Sequence, residues 1–308
     1  MQIGTSYSYD RGGALLRSLS DRAANLQTTI SLNQRIQTPS DDPVAAARIA
    51  VIDRKLGDMQ QYSTNITLAS ALIAQSDSAL DSVQTQLQRA RELAMRAAND
   101  TMNDGDRAAI SAELSGIVDD LFAIVNQRDA RDTPLFGGAG TGDAFVRGAG
   151  GIVSYAGNGT PPAVPISATG SIAATDAGDK LFGGISVNGT TTDMFAILTD
   201  LAAALAPGGT PDAATLRARI EDGLAGIGAA DTRVATARAS FGARGARLDL
   251  ESERLATATA DARVDRTTID GFDLQDSVVQ LQQMMLTLQA SQASFSRLTQ
   301  LSLFDYLR

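Results

Sequence analysis

The sequence predicts a mainly α protein, a long antiparallel helical coiled-coil bundle formed by its N- and C-terminal halves, with a small inserted β-rich domain. Three observations carry this. Apolar residues recur at steps of three and four near both ends and through long stretches between. Half of the 28 glycines fall between Gly137 and Gly189, where that periodicity is lost. Aromatic residues make up only 5% of the 308 positions and Trp is absent, so slender Ala-rich helices are favoured over a thick core.

The elements follow in order. After a polar, Gly-containing start expected to be disordered alone, a first helix is expected from about Ala14 to Gln34. Its stripe is Leu16, Leu19, Ala23, Leu26 and Ile30. Pro39 disfavours helix at Thr38, while Ser40, Asp41 and Asp42 offer capping oxygens and Pro43 suits a first turn, so a helix restarts there. The second helix has a seam from Ala45 through Ile66, Ser70, Ile73, Ser76, Leu80, Val83 and Leu87 to Ala97, with two steps of three around Ile73. Without a proline it would be ~80 Å long. Asn103 or Asp104 caps a third helix with the stripe Ile110, Leu114, Ile117, Leu121 and Ile124, antiparallel to the second.

In the Gly-rich region, Asn188-Gly189 marks a hairpin between Ile185–Val187 and the Thr190 segment. Asn158-Gly159 marks another, less distinctly, between Ile152–Tyr155 and Val164–Ile166. Helical pattern returns at Phe195–Leu205, and again from Leu216 through Phe241 and Leu248, locally weakened by Gly223, Gly226, Gly228, Gly242 and Gly245. Gly271 marks a joint before the terminal helix, Asp273 to Leu307. The expected divisions are 1–43, 44–135, 136–192, 193–270 and 271–308.

The terminal helix carries Leu274, Val278, Leu281, Met285, Leu288 and Phe295, again a narrow stripe. An isolated helix gains too little from its own hydrogen bonds to remain ordered, so each end needs a partner. The two ends are expected to meet each other and copies of themselves, which makes the chain an assembly subunit. Adjacent Met284 and Met285 fit a subunit or chaperone interface.

Composition removes most other classes. A net charge of -9 without a basic tract argues against nucleic acid. The absence of Cys and His removes thiol catalysis, the usual zinc sites and the side chain most used near neutral pH. Asp41-Asp42 reads as a cap rather than a catalytic pair. Gly137 to Gly142 lacks the Lys-Ser/Thr of a phosphate loop. No catalytic residue, cofactor or metal is expected, no apolar run is long enough to cross a membrane, and Met1–Ser6 does not resemble a cleaved signal.

Three segments carry a family resemblance: Arg35-Ile36-Gln37-Thr38-Pro39-Ser40-Asp41-Asp42-Pro43-Val44-Ala45, Leu87 to Asn99 with Arg89, Arg91, Glu92 and Leu93, and Ser302-Leu303-Phe304-Asp305-Tyr306-Leu307. Together they resemble the flagellin superfamily, and within it the hook–filament junction proteins more than filament flagellins. The likeness spans about residues 1–136 and 190–308. Leu32-Asn33-Gln34-Arg35 departs from the family's Gly-Lys-Arg turn, and Thr133 to Gly138 from its Tyr-x-Phe-Gly/Ser-Gly.

The resemblance implies export in an unfolded state by the flagellar type III apparatus without signal cleavage. It further implies an extracellular position on the flagellum, in a ring of about eleven copies between the first hook-associated protein and the flagellin filament. An export chaperone would hold the C-terminal segment beforehand. The assembly interface expected on this basis comprises Leu16, Leu19, Leu26, Ile30, Leu274, Val278, Leu281, Met285, Leu288, Phe295, Leu298, Leu301, Leu303 and Phe304. A filament flagellin is the alternative, separable by its abundance in sheared appendages. A coiled-coil adaptor or type III secretion translocator is another, separable by location.

Overall fold

The computed structural model describes residues 3–306 except 37, 100, 101, 210, 211 and 272; side chains are not described for 3–6, 8, 9 and 298–306. The chain is mainly α. Among the described residues, seven α-helices run Ile3–Leu32 (α1), Pro43–Ala97 (α2), Asp104–Val125 (α3), Gly178–Phe182 (α4), Met194–Leu205 (α5), Ala213–Asp270 (α6) and Leu274–Tyr306 (α7). They form two compact units, residues 1–58 with 257–308, and residues 59–256. The divisions fall inside α2 and α6 rather than at the turns that bound them.

In the second unit, Ala79 and Leu93 are buried beside the seam of α2, whose own buried positions are Met59, Ile66, Ala69, Ile73, Ser76, Leu80, Val83, Leu87, Ala90, Ala94 and Ala97. With half-buried Tyr62 included, these alternate steps of three and four throughout. The expected irregularity at Ile73 disappears because Ala69, not Ser70, takes the seam position. Helix α3 lies antiparallel to α2: Gln86 Nε2 donates to Asp120 at 3.3 Å and Arg89 Nε to Glu113 at 2.9 Å. Asn103 supplies its N-cap, accepting from the Asp106 N–H at 2.8 Å. At its end Val125 is buried and Ile124 only half-buried, a one-residue shift from the expected stripe.

Helix α5 packs on α3, where Ser111 Oγ donates to the Ala202 carbonyl at 2.7 Å. It also packs on α6, where a Cβ at Gly226 would stand 2.8 Å from Ile197 Cγ2. Gly223, where a Cβ would stand 3.1 Å from Leu201 Cδ1, admits α5 in the same way, whereas Gly228, Gly242 and Gly245 have nothing within 4 Å of such a Cβ. Arg238 ties α6 to α2 through Asp77 at 3.0 Å, Asp81 at 2.6 Å and Gln84 at 2.9 Å.

The β region is three separate antiparallel hairpins: Phe145–Arg147 with Val153–Tyr155 (β1, β2), Ala163–Pro165 with Ser171–Ala173 (β3, β4), and Ile185–Val187 with Thr190–Thr192 (β5, β6). The last turns through Asn188 and Gly189, both at positive φ (49° and 80°), as expected for a two-residue turn. The expected pairing of Ile152–Tyr155 with Val164–Ile166 does not form. Asn158 instead bridges Gly138, with the Ala139 N–H donating to its carbonyl at 2.7 Å, and β2 pairs with β1.

Each hairpin is fastened to a helix. Arg147 reaches Asp119 at 2.6 Å and lies over the Phe122 ring; Asn65 donates to the Pro165 carbonyl at 2.8 Å; Asn188 Nδ2, in the turn of the third hairpin, donates to Asp222 Oδ1 on α6. Phe145, Ile172 and Ile185 belong to the same continuous core as Leu80, Leu114 and Phe241. Contrary to the composition argument, this core has an aromatic cluster. Phe145 meets Tyr155, Phe182 and Phe195 at centroid separations of 5.3, 5.9 and 5.4 Å. Few aromatics are present, but they are concentrated.

One turn of this unit gives a pH prediction. The Asp129 side chain is 6% exposed. Burial raises its carboxyl pKa, but backbone N–H donors from Thr133 and Arg131, with the Arg131 charge, outweigh that and hold it below the usual range. A depressed folded value means that this stabilisation is complete above the unfolded value of about 3.9 and is lost as pH falls through the folded value. We expect the urea midpoint of the wild-type chain to fall more steeply below pH 4 than that of Asp129→Asn. Parallel curves would contradict this role.

Candidate assembly interface

The first unit is built differently. Its buried apolar side chains, among the described residues, are Ala23, Ala45 and Ala262, whereas the continuous core runs only from Ile66 to Leu248. Ten of the fourteen large apolar side chains that stand exposed among the described residues belong to this smaller unit, among them Leu15, Val44, Val51 and Val264.

Helix α1 starts at Ile3, not near Ala14, and ends at Leu32. Gly12, a weak helix former, lies against the Phe295 ring: a Cβ there would be 2.9 Å from Cε2, so the missing side chain lets α7 approach. Leu16, Leu19, Leu26 and Ile30 are half-buried and Ala23 buried, as are Val278, Leu281, Leu288 and Phe295 in part on α7. Leu274 and Met285 are instead exposed, and Met284 is half-buried. The phase of α7 against α1 thus places Met284 inward, a choice between two adjacent methionines that hydropathy alone does not make. The side chains of Leu298, Leu301, Leu303 and Phe304 lie outside the described residues.

Helix α7 has a second apolar stripe. Leu281 and Leu288 are seven residues apart, as are Val279 and Leu286, and two residues of helix place the second pair about 200° round from the first. Val279 is 51% exposed and Leu286 69%. Leu286, Thr287 and Ala290 line an open groove with Gly12, Leu15 and Leu16.

The motif between α1 and α2 serves as a turn. Asn33, at φ 54°, terminates α1 with N–H bonds from Asn33 to the Ile30 carbonyl and from Gln34 to that of Thr29, both 3.3 Å. Asparagine therefore takes the left-handed position where the related turn has glycine. Asp41 accepts from the Thr38 N–H at 2.9 Å, Thr38 and Ser40 hydroxyls lie 3.2 Å apart, and Asp42 caps α2 from the Ala45 N–H at 3.0 Å with Pro43 in the first turn. The other motif is in the second unit: Arg89 pairs with Glu113 and Glu92, Leu93 is buried and Arg91 exposed.

Sequence reasoning missed Asp270. It is 6% exposed, and its Oδ1 accepts from the backbone N–H groups of Arg35 at 2.9 Å and Ile36 at 3.2 Å. Arg35 Nε donates back to the Asp270 carbonyl at 2.6 Å, Arg35 Nη2 to that of Ile269 at 3.2 Å. One signal was legible: a carboxylate at a helix C-terminus opposes the helix dipole and needs some other reason to be there.

Comparison with known proteins supplies the context. Family models for the bacterial flagellin N-terminal and C-terminal helical regions match residues 5–141 and 224–307. Flagellar hook-associated protein 3 of Escherichia coli K12 is 29% identical over 295 residues, 90% of each chain. That of Salmonella typhimurium LT2 is 24% identical over 320 residues, 100% of each. A Listeria monocytogenes flagellin is 25% identical over 47% of this chain and 50% of its own.

Among solved structures, flagellar hook-associated protein 3 of Legionella pneumophila superposes with a TM-score of 0.66 at 13% identity, covering 73% of this chain and 100% of that one. FlgL of Xanthomonas campestris gives 0.63 at 18%, covering 70% and 99%. These two likenesses concern the fold. Among the described residues no helix is long and apolar enough to cross a membrane. With a helical region of flagellin matched at each end of the sequence and the long paired helices in place, the chain belongs to the flagellin superfamily.

Proposed function

We propose that this chain is a structural, non-enzymatic junction protein of the bacterial flagellum. In this reading it joins the hook, through the first hook-associated protein, to the flagellin filament, and it polymerises as a ring through α1 and α7. The carrying observation is the first unit's lack, among the described residues, of any buried apolar side chain larger than alanine beside so many exposed ones. A segment that cannot bury enough apolar surface alone gains order when neighbours supply the rest. Among the described side chains of α7, Leu274, Val279, Met285 and Leu286 are left for those neighbours, while Val278, Leu281, Leu288 and Phe295 hold α1.

The same deficit fits export. Terminal segments without a private core remain threadable, an export chaperone can cover the apolar face of the C-terminal one, and a cysteine-free chain forms no disulfides on arrival outside. The relatives that align over nine-tenths or more of this chain are hook-associated proteins, while the Listeria flagellin aligns with under half. This favours the junction over the filament itself.

Deleting the gene and imaging hooks by electron microscopy, with flagellin assayed in the medium, tests the proposal. Bare hooks with a separate flagellin released to the medium are expected. Bare hooks with no flagellin anywhere would make this chain the filament subunit, and normal filaments in a strain carrying no second copy would exclude both roles.

A further inference from the structure

The Arg35–Asp270 contact runs between each side chain and the other's backbone. Each residue satisfies the backbone of the other's turn. The Asp270 carboxylate takes two consecutive N–H groups just past the end of α1, and the Arg35 guanidinium takes the last two carbonyls of α6. Such carbonyls are groups that a helix C-terminus leaves without intrahelical partners. Arg35 Nη2 also lies 3.7 Å from Asp42, the N-cap of α2, and Gly271, at φ 56°, closes α6 with its N–H on the Thr267 carbonyl before α7 begins. Three helix ends of the first unit, those of α1 and α6 and the start of α2, thus converge on two side chains 235 positions apart.

Hydrogen bonds to backbone groups fix direction as well as distance, which a charge pair alone does not. The acid is nearly fully buried at the helix end where its charge is least favoured. Its location is explained by the two N–H groups it holds.

We propose that Asp270 and Arg35 form a joint lock that sets the direction in which α1 leaves the α2 and α6 segments of the first unit, so that every copy presents α1, with α7 packed along it, to the assembly at one angle. The lock rests on the assembly reading above. Asp270 and Arg35 act as positioning residues, and neither is among the apolar contacts with neighbouring copies.

The natural absence of cysteine allows a direct test. Ser20 in α1 and Ala260 in α6 are both exposed and both belong to the first unit. Spin labels on Ser20→Cys and Ala260→Cys of the full chain report their separation after the protein is bound to isolated hooks bearing the first hook-associated protein. We expect a single narrow distance in the doubly labelled parent chain and loss of that narrow peak in Asp270→Ala and Arg35→Ala. Asp270→Asn, which keeps an acceptor oxygen in place, should restore it, and the melting of the second unit should be the same in all. A peak as narrow in Asp270→Ala as in the parent overturns the lock while leaving the assembly reading standing. Broadening in Asp270→Asn equal to that in Asp270→Ala also overturns it, since charge rather than accepted N–H groups would then matter. Failure of the parent chain to bind hooks would remove the assembly reading, and the lock's purpose with it.

Discussion

A chain lacking residues 274–308 is expected to fold, to melt at the temperature of the intact protein's second unit, and to be absent from hook tips. The two halves of this result have separate causes. The continuous core extends from Ile66 to Leu248 and takes nothing from α7, so deletion removes no buried side chain from it. In the first unit, deletion strips Leu16, Leu19, Leu26 and Ile30 of the helix they face and removes the Val279–Leu286 stripe. A single substitution makes a sharper version. Leu288 is half-buried against α1, and burying such a side chain fully contributes about 1.5–3 kcal/mol, so its partial contact contributes less. Leu288→Asp loses that contact and places a charge in an apolar seam. In a ring the penalty recurs in every copy, so a modest loss per chain becomes loss of assembly. Circular dichroism of the purified variant and immuno-electron microscopy of hooks check both halves. Truncated protein seated on hook tips would defeat the assembly proposal, and a lowered melting point of the second unit would show that the two units are not energetically separate.

How much of this was legible in the sequence depended on the range of the interaction involved. Asp42 before Pro43, Asn103 before α3 and Asn188-Gly189 act within three or four residues, and each takes the position its local chemistry dictates. Asn158-Gly159 has the same local chemistry as Asn188-Gly189 but a different outcome, because Asn158 is held by Gly137 and Ala139, about twenty residues earlier. At Gly138 a Cβ would be 2.4 Å from the Asn158 carbonyl oxygen, so this glycine reports a tertiary contact rather than a flexible loop. The choices between Ala69 and Ser70, and between Met284 and Met285, turn on helix phase, which a partner sets. Asp270 could be suspected from the helix dipole, but its partners at Arg35 and Ile36 come only from the fold. The interface residues were recognisable as apolar stripes. Their division between the face that meets α1 and the face left open was not.

Phe145→Ala is expected to give the reverse pattern, destabilising the second unit by about 3–5 kcal/mol, the usual range for emptying a buried phenylalanine site. Phe145 is 4% exposed and joins β1 to α3, α4 and α5. Its N–H donates to Asn126 Oδ1 at 2.9 Å and its carbonyl accepts from Asn126 Nδ2 at 3.0 Å. Its ring meets three others edge-on or tilted, arrangements that contribute about 0.5–1.5 kcal/mol each beyond area burial. The Asn126 bonds are to backbone and survive the substitution, which keeps the hairpin in place around the void and limits its collapse. Gly178 offers an internal check: a Cβ there would be 2.6 Å from the Phe145 ring. Gly178→Ala alone should therefore destabilise, whereas in the Phe145→Ala background the added methyl enters vacated space and should cost little or recover stability. Such coupling between contacting residues is commonly about 0.5–3 kcal/mol. Urea titration of the two single variants and the double variant measures it, with near-ultraviolet dichroism following the adjacent Tyr155. Additive effects would mean that the two sites do not touch, and a loss below about 1 kcal/mol for Phe145→Ala would mean that the hairpins lie on the helical core without contributing to it.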